Sequence, residues 1–240
     1  MSDATLVRMR VLLCALLLIP ATAHAAERRL YLSSFERIRV EGPYQVTVTT
    51  GRSPGGTLTG DAQAIDAIEV QVDGTTLVVR GVQREAGAAR GVAGPVVVTL
   101  TTPTLSNAAV LGSGALAIAG GRTPRLDLSV AGAGSIAFTG VDTDQANATV
   151  VGNGAVTLAG RAVRARLSVS GAGRIAADAL VAGDLTVRVD GPGEALARAR
   201  YTAAVFNAGL GHIAVAGTPQ CRVQNQAGGP VTCGAGAPAR

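Results

Sequence analysis

The chain has 240 residues and a formal net charge of +5, with 21 basic residues, all arginine, against 16 Asp and Glu. That modest excess is spread along the sequence without basic clusters or interleaved aromatics, which excludes the footprint of a nucleic-acid binder. Only 2% of the residues are aromatic while 48% are hydrophobic, so a core has to be assembled from Val, Leu, Ile and Ala rather than from large rings.

Arg8 and Arg10, the apolar run Val11 to Ile19 and the small-residue tripeptide Ala23-His24-Ala25 have the order of a secretory signal peptide. The run is too short to span a bilayer, and no span is expected in the mature chain. Residues 1–25 are therefore read as a leader, and residues 26–240 as one exported domain destined for the periplasm, the outer cell envelope or the medium.

Residues 26–106 read as an N-terminal cap with the first rungs of the fold. Within them "IRVEGPYQVTVTTG" (Ile38 to Gly51), "IEVQVDGTTLVVRG" (Ile68 to Gly81) and "PVVVTLTTP" (Pro95 to Pro103) alternate in the manner of strands, with Asp73-Gly74 as a hairpin turn. "REAGAARGVAG" (Arg84 to Gly94) has too little apolar content for an element and reads as a loop.

From 107 to 218 the sequence repeats. The first glycines of successive G-x-G doublets are Gly112, Gly132, Gly152, Gly171, Gly191 and Gly209, at spacings of 20, 20, 19, 20 and 18. Apolar columns flank them: Val110, Val130, Val150, Val169 and Val189 before the doublet, and Leu116, Ile136, Val156, Ile175, Ala195 and Ile213 after it. They alternate with small or polar positions, the period of a strand.

About twenty residues are too few for a helical crossover and suit one coil of a solenoid. The expected fold is an all-β, right-handed, single-stranded parallel β-helix, with each coil buried on its neighbours. The doublets are then corners, where glycine takes positive φ without a Cβ penalty. A phosphate loop would need a helix after the glycines, and a second strand follows each time.

Residues 219–240 read as a C-terminal cap. An exported chain reaches an oxidising compartment, so Cys221 and Cys233 are expected to form a disulfide across the last coil.

"FERIRVEGPYQVTVTTG", "IEVQVDGTTLVVR", "VVVTLTTPTLSNAAVLGSGALAIAG", "LSVAGAGSIAF" and "LSVSGAGRIAA" together resemble the GIN domain family, also named the auto-transporter adhesin head domain. The resemblance runs from about Phe35 to about Thr218. Its most specific parts are Val40 to Tyr44 and the block from Pro103 to Gly114. It implies an exported, adhesin-like bacterial β-helix without known enzymatic activity, and it transfers no catalytic residue. No β-barrel follows the solenoid, so the passenger of a single-chain autotransporter is not expected.

Parallel β-helices also host polysaccharide lyases and hydrolases, so the carboxylates bear on function. With coils aligned on their glycines, Asp142 and Asp144 fall over Ala162 and Arg164, giving an expected Asp144–Arg164 ion pair rather than an acid pair. Glu194 falls between Arg174 and His212 in the column Ser135, Ala155, Arg174, Glu194, His212. As a base with its orienter this trio is the one candidate for a lyase or hydrolase; as an exposed charge ladder it needs no substrate, and that reading is preferred. One mature histidine and two cysteines separated by eleven intervening residues make no zinc site, and nothing points to a cofactor.

A polar outward face remains, formed by Ser129, Thr149, Ser168 and Arg188 and by Asp127, Asn147 and Arg166. Such a face can bind an envelope polymer or a surface protein, and it is also what the solvated side of any solenoid looks like; the solvated reading is preferred. Asn147-Ala148-Thr149 matches a glycosylation sequon, expected to be unmodified in a bacterial protein.

Overall fold

The computed structural model describes residues 26–82 and 96–234. The expected leader and the Arg84 to Gly94 loop lie outside these residues.

The N-terminal portion comprises β1 (Ala26–Leu30), β2 (Arg37–Glu41), β3 (Gln45–Thr50), β4 (Gly55–Gly60), the short helix α1 (Ala62–Asp66), β5 (Ile68–Asp73), β6 (Thr76–Gly81) and β7 (Val96–Thr102). β2 and β3 form one coil, joined by a corner at Gly42, whose φ is 110°. The coil beneath it comes from later in the chain: β6 pairs in parallel with β2 and β7 with β3. The expected Asp73-Gly74 hairpin is present, with β5 antiparallel to β6. β4 lies antiparallel on β7 and β1 antiparallel on β4. Reversed strands thus cover the first parallel rung, leaving no parallel edge there to recruit another chain.

Helix α1 joins β4 to β5. Asp61 caps it, accepting from the backbone N–H of Gln63 at 2.9 Å and of Ala64 at 3.3 Å. Ala64 and Ile65 are buried against the cap.

The repeat region follows as β8 (Asn107–Gly112), β9 (Ala115–Ala119), β10 (Arg122–Gly132), β11 (Ser135–Gly152), β12 (Ala155–Ser170), β13 (Arg174–Asp190), β14 (Glu194–Asn207), β15 (His212–Gly217), β16 (Gln220–Asn225) and β17 (Val231–Cys233). Every pairing from β8 onward is parallel, and the fold is a β-solenoid of about six turns. Each coil has three sides: one before the glycine doublet, one after it, and a short third side that returns the chain. β11 to β14 are long because each runs from the second side through the third to the first.

The columns read from the sequence are the core. Val110, Val130, Val150, Val169 and Val189 are fully buried and stacked in register, as are Leu116, Ile136, Val156, Ile175, Ala195 and Ile213 on the second side. Burying one such valine contributes about 1.5–3 kcal/mol. The shortage of rings is met by interlocking: Phe138 lies where a Cβ on Gly120 would come within 1.9 Å of it, so the ring needs a glycine below.

Backbone, not ligand, accounts for the doublets. Gly152 has φ 105°, and a Cβ there would approach the Gly132 carbonyl oxygen to 2.8 Å. The Asn153 N–H donates to that same oxygen at 2.9 Å, so the hydrogen-bond ladder continues around the corner. At the C-terminal end the inward positions Ala203 and Val215 are followed by Cys221 and Cys233. These two form the expected disulfide, with Cα atoms 6.3 Å apart, and tie the first side of the last coil to its second.

Candidate binding surface

On the first side the two outward columns stack as expected. Ser129, Thr149, Ser168, Arg188 and Phe206 form one, and Asp127, Asn147, Arg166, Thr186 and Ala204 the other. Several members are engaged within the surface. Arg125 Nε donates to Asp127 Oδ2 at 2.8 Å, Asn147 Nδ2 to Asp127 Oδ1 at 2.7 Å, and Arg188 Nε to Asp190 Oδ2 at 2.9 Å. Partial burial pushes the Asp127 carboxyl up, but hydrogen bonds from Arg125 and Asn147 outweigh it and leave the group below the ordinary carboxylate range.

The third side departs from the expected register. Between Thr139 and Val141 the pairing slips by one residue around Gly140, whose φ is 75°. Beyond the slip, Asp142 faces Arg161, and Gln145 rather than Asp144 faces Arg164. Asp142 takes the ion pair, with Arg161 Nη2 at 2.8 Å from its Oδ2. The expected Asp144–Arg164 pair is therefore incorrect: the nineteen-residue coil absorbs its missing residue here, which a count from the glycines does not reveal.

A polar groove lies beyond the slip, where the third side meets the first. It has a volume of about 280 Å³, with Gln145, Asn147, Arg164, Arg166, Asp184 and Thr202 among its lining residues. Arg164 and Arg166 are both exposed, flanking buried Ala165 on β12. Among the described residues neither guanidinium makes an ion pair or a hydrogen bond. Asp184, the register neighbour of Arg164, instead accepts from Thr202 Oγ1 at 2.6 Å. Arg166 and Asn147 belong to the expected face; Arg164 was missed because it had been assigned an acidic partner.

Around the corner from this groove, Tyr201 lies against Gly183, where an added Cβ would meet the ring at 3.5 Å. Tyr201 and Val163 are 62% and 57% exposed, and the Arg200 guanidinium sits 5.8 Å from the Tyr201 ring centre.

The Glu194 column is on the second side, as expected. Arg174 Nη1 lies 3.2 Å from Glu194 Oε2, and His212 Nδ1 lies 3.4 Å from Glu194 Oε1. The three side chains occupy successive rungs, and such partly exposed pairs contribute little each. Among the described residues no group of three or more His, Cys, Asp or Glu could hold a metal ion, and no helix is long and apolar enough to cross a membrane.

Residues 34–219 match the family model described as "Putative auto-transporter adhesin, head GIN domain". No curated protein matches the chain. Among solved structures, a putative adhesin from Bacteroides fragilis NCTC 9343 has 22% identity and a TM-score of 0.78, covering 88% of this chain and 97% of its own. A putative lipid binding protein from Parabacteroides distasonis ATCC 8503 has 17% identity and a TM-score of 0.68, covering 88% and 96%. A putative adhesin from Parabacteroides merdae ATCC 43184 has 15% identity and a TM-score of 0.65, covering 89% and 96%. These similarities are similarities of fold.

Proposed function

The chain belongs to the GIN-domain family of auto-transporter adhesin heads, and from that membership we propose that it is an exported scaffold that binds a surface or envelope molecule through its outward polar face and does not turn it over. The observation that carries the reading is the unbroken ladder of polar side chains on the first side, Asp127, Asn147, Arg166 and Thr186 in successive rungs. A rigid parallel solenoid holds such groups at rung spacing, about 4.8 Å, and presents them without an ordering cost on binding.

Export is supported by the leader-like start of the sequence and by the Cys221–Cys233 disulfide, a bond that persists in oxidising compartments. The opposing chemistry, glycan cleavage by Glu194 with Arg174 and His212, draws no support from the family, and the trio is accounted for as a surface ladder in which Glu194 pairs with Arg174 and lies within hydrogen-bond distance of His212.

The test is co-sedimentation of residues 26–240 with isolated envelope fractions, run beside assays for reducing sugars and unsaturated products. Saturable sedimentation without product is expected. Absence of binding to every fraction, or release of product, would refute the reading.

A further inference from the structure

The groove at the junction of the third and first sides holds two arginines without an acidic partner among the described residues. Arg164 and Arg166 stand two residues apart on β12, about 7 Å along the strand, and project to the same outer surface. Seven other arginines of the described residues form ion pairs with Asp or Glu. These two do not, although Asp184 is next to Arg164 in the register. That carboxylate is engaged by the Thr202 hydroxyl. The Gly140 slip keeps Asp144 out of register with Arg164 and puts a neutral amide, Gln145, in its place.

We propose that this groove binds an acidic polysaccharide, with Arg164 and Arg166 each holding a carboxylate or phosphate group of the polymer. A guanidinium presents paired N–H donors that match either oxyanion. The neighbouring rungs offer Gln145, Asn147, Thr186 and Thr202 as partners for sugar hydroxyls. Of the apolar members of the lining, Ala165 and Leu185 are buried and Ala204 offers only a half-buried methyl, so the groove lacks the aromatic or large aliphatic anchors on which a protein partner depends. Two free guanidiniums beside one carboxylate are also too few for the continuous phosphate contacts of a nucleic acid. The inference rests on the scaffold reading above and adds the site and the ligand class.

The test is isothermal titration of residues 26–240 with polygalacturonate, phosphomannan, neutral dextran and duplex DNA. The variants are Arg164→Gln, Arg166→Gln and the double change, with Arg222→Gln on the terminal strand as control. Unchanged far-UV circular dichroism and thermal midpoints establish that each variant folds. Wild type is expected to bind one or both acidic polymers with an affinity that falls as salt rises, and which of the two binds tells carboxylate from phosphate. The double variant should bind at least tenfold more weakly, each single variant between the two, and Arg222→Gln as wild type does. Loss of less than twofold in the double variant, equal binding of dextran, tighter binding of DNA, or no binding of either acidic polymer would overturn the proposal. Envelope co-sedimentation separates the two claims: if the double variant still sediments, the groove is wrong and the scaffold stands, whereas if wild type does not sediment, the scaffold reading itself fails.

Discussion

Arg164 stacks on Gln145, one residue away from the acid that equal coil lengths would have given it. The consequence is an unpaired guanidinium, whereas Arg161, earlier on the same strand and along the same third side, is paired with Asp142. Gln145→Glu should supply the absent partner. An exposed pair of this kind adds about 0–1 kcal/mol of stability, so the thermal midpoint should barely move, while binding of an acidic polymer should weaken severalfold. A variant that binds as wild type does would show that Arg164 is not a contact.

The inward valine ladder bears the fold. Val150 is fully buried between Val130 and Val169, whereas its neighbour Val151 is 50% exposed. Val150→Asp places an uncompensated charge in the core and should cost about 3–5 kcal/mol. Val151→Asp should cost less than about 0.5 kcal/mol. Urea unfolding of the two variants checks this directly, and equal losses would mean that the side-chain alternation has been assigned to the wrong faces.

The Cys221–Cys233 disulfide closes a short loop, at a sequence separation of 12. Loop entropy assigns it about 3 kcal/mol. β16 is exposed along its whole length and pairs only with β14, so this coil has few other constraints. Cys221→Ala with Cys233→Ala should lower the unfolding free energy by about 2–3 kcal/mol, and reductant should do the same to wild type while leaving the variant unaffected. A wild-type midpoint indifferent to reductant would contradict the assignment.

Acid should act on the third side through Asp142. A hydrogen bond from Arg161 holds its carboxyl below the ordinary range; desolvation is the next largest influence and opposes this, and the charges of Arg161 and Arg122 reinforce it. A depressed folded-state value contributes stability that is present above the unfolded value of about 4 and is lost as pH falls through the folded one. Carboxyl NMR titration should find the Asp142 midpoint below that value in wild type and moved upward in Arg161→Ala. An unmoved midpoint would remove the ion pair from the account.

Much of this was legible in the sequence because a parallel solenoid repeats one environment. The glycine doublets marked the corners, and the alternation around them gave the buried columns through Ile213 and the outward pair of Ser129 and Asp127 columns. What was not legible lies where the repeat breaks. The slip at Gly140 changes which residue faces Arg164, and no residue type announces where a nineteen-residue coil loses its place. The order of rungs at the N-terminal end was hidden for a related reason: β6 and β7 pair beneath β2 and β3, and strands of similar alternation carry no mark of which rung they join. Helix α1, a single turn capped by Asp61, is too short to register as a helical period. Arg164 was overlooked for lack of the register and not for lack of a chemical signal.

The most direct test of the account is chemical-shift mapping of the isotopically labelled chain, residues 26–240, titrated with a short oligogalacturonate and with its phosphorylated counterpart. The account predicts that the shifting signals cluster at Gln145, Asn147, Arg164, Arg166, Thr186 and Thr202, with the Arg164 and Arg166 side-chain Nε–H signals moving most and the oligosaccharide recovered intact. Shifts centred on Arg174, Glu194 and His212 with cleavage of the oligosaccharide, or no shifts in the groove at saturating ligand, would contradict it.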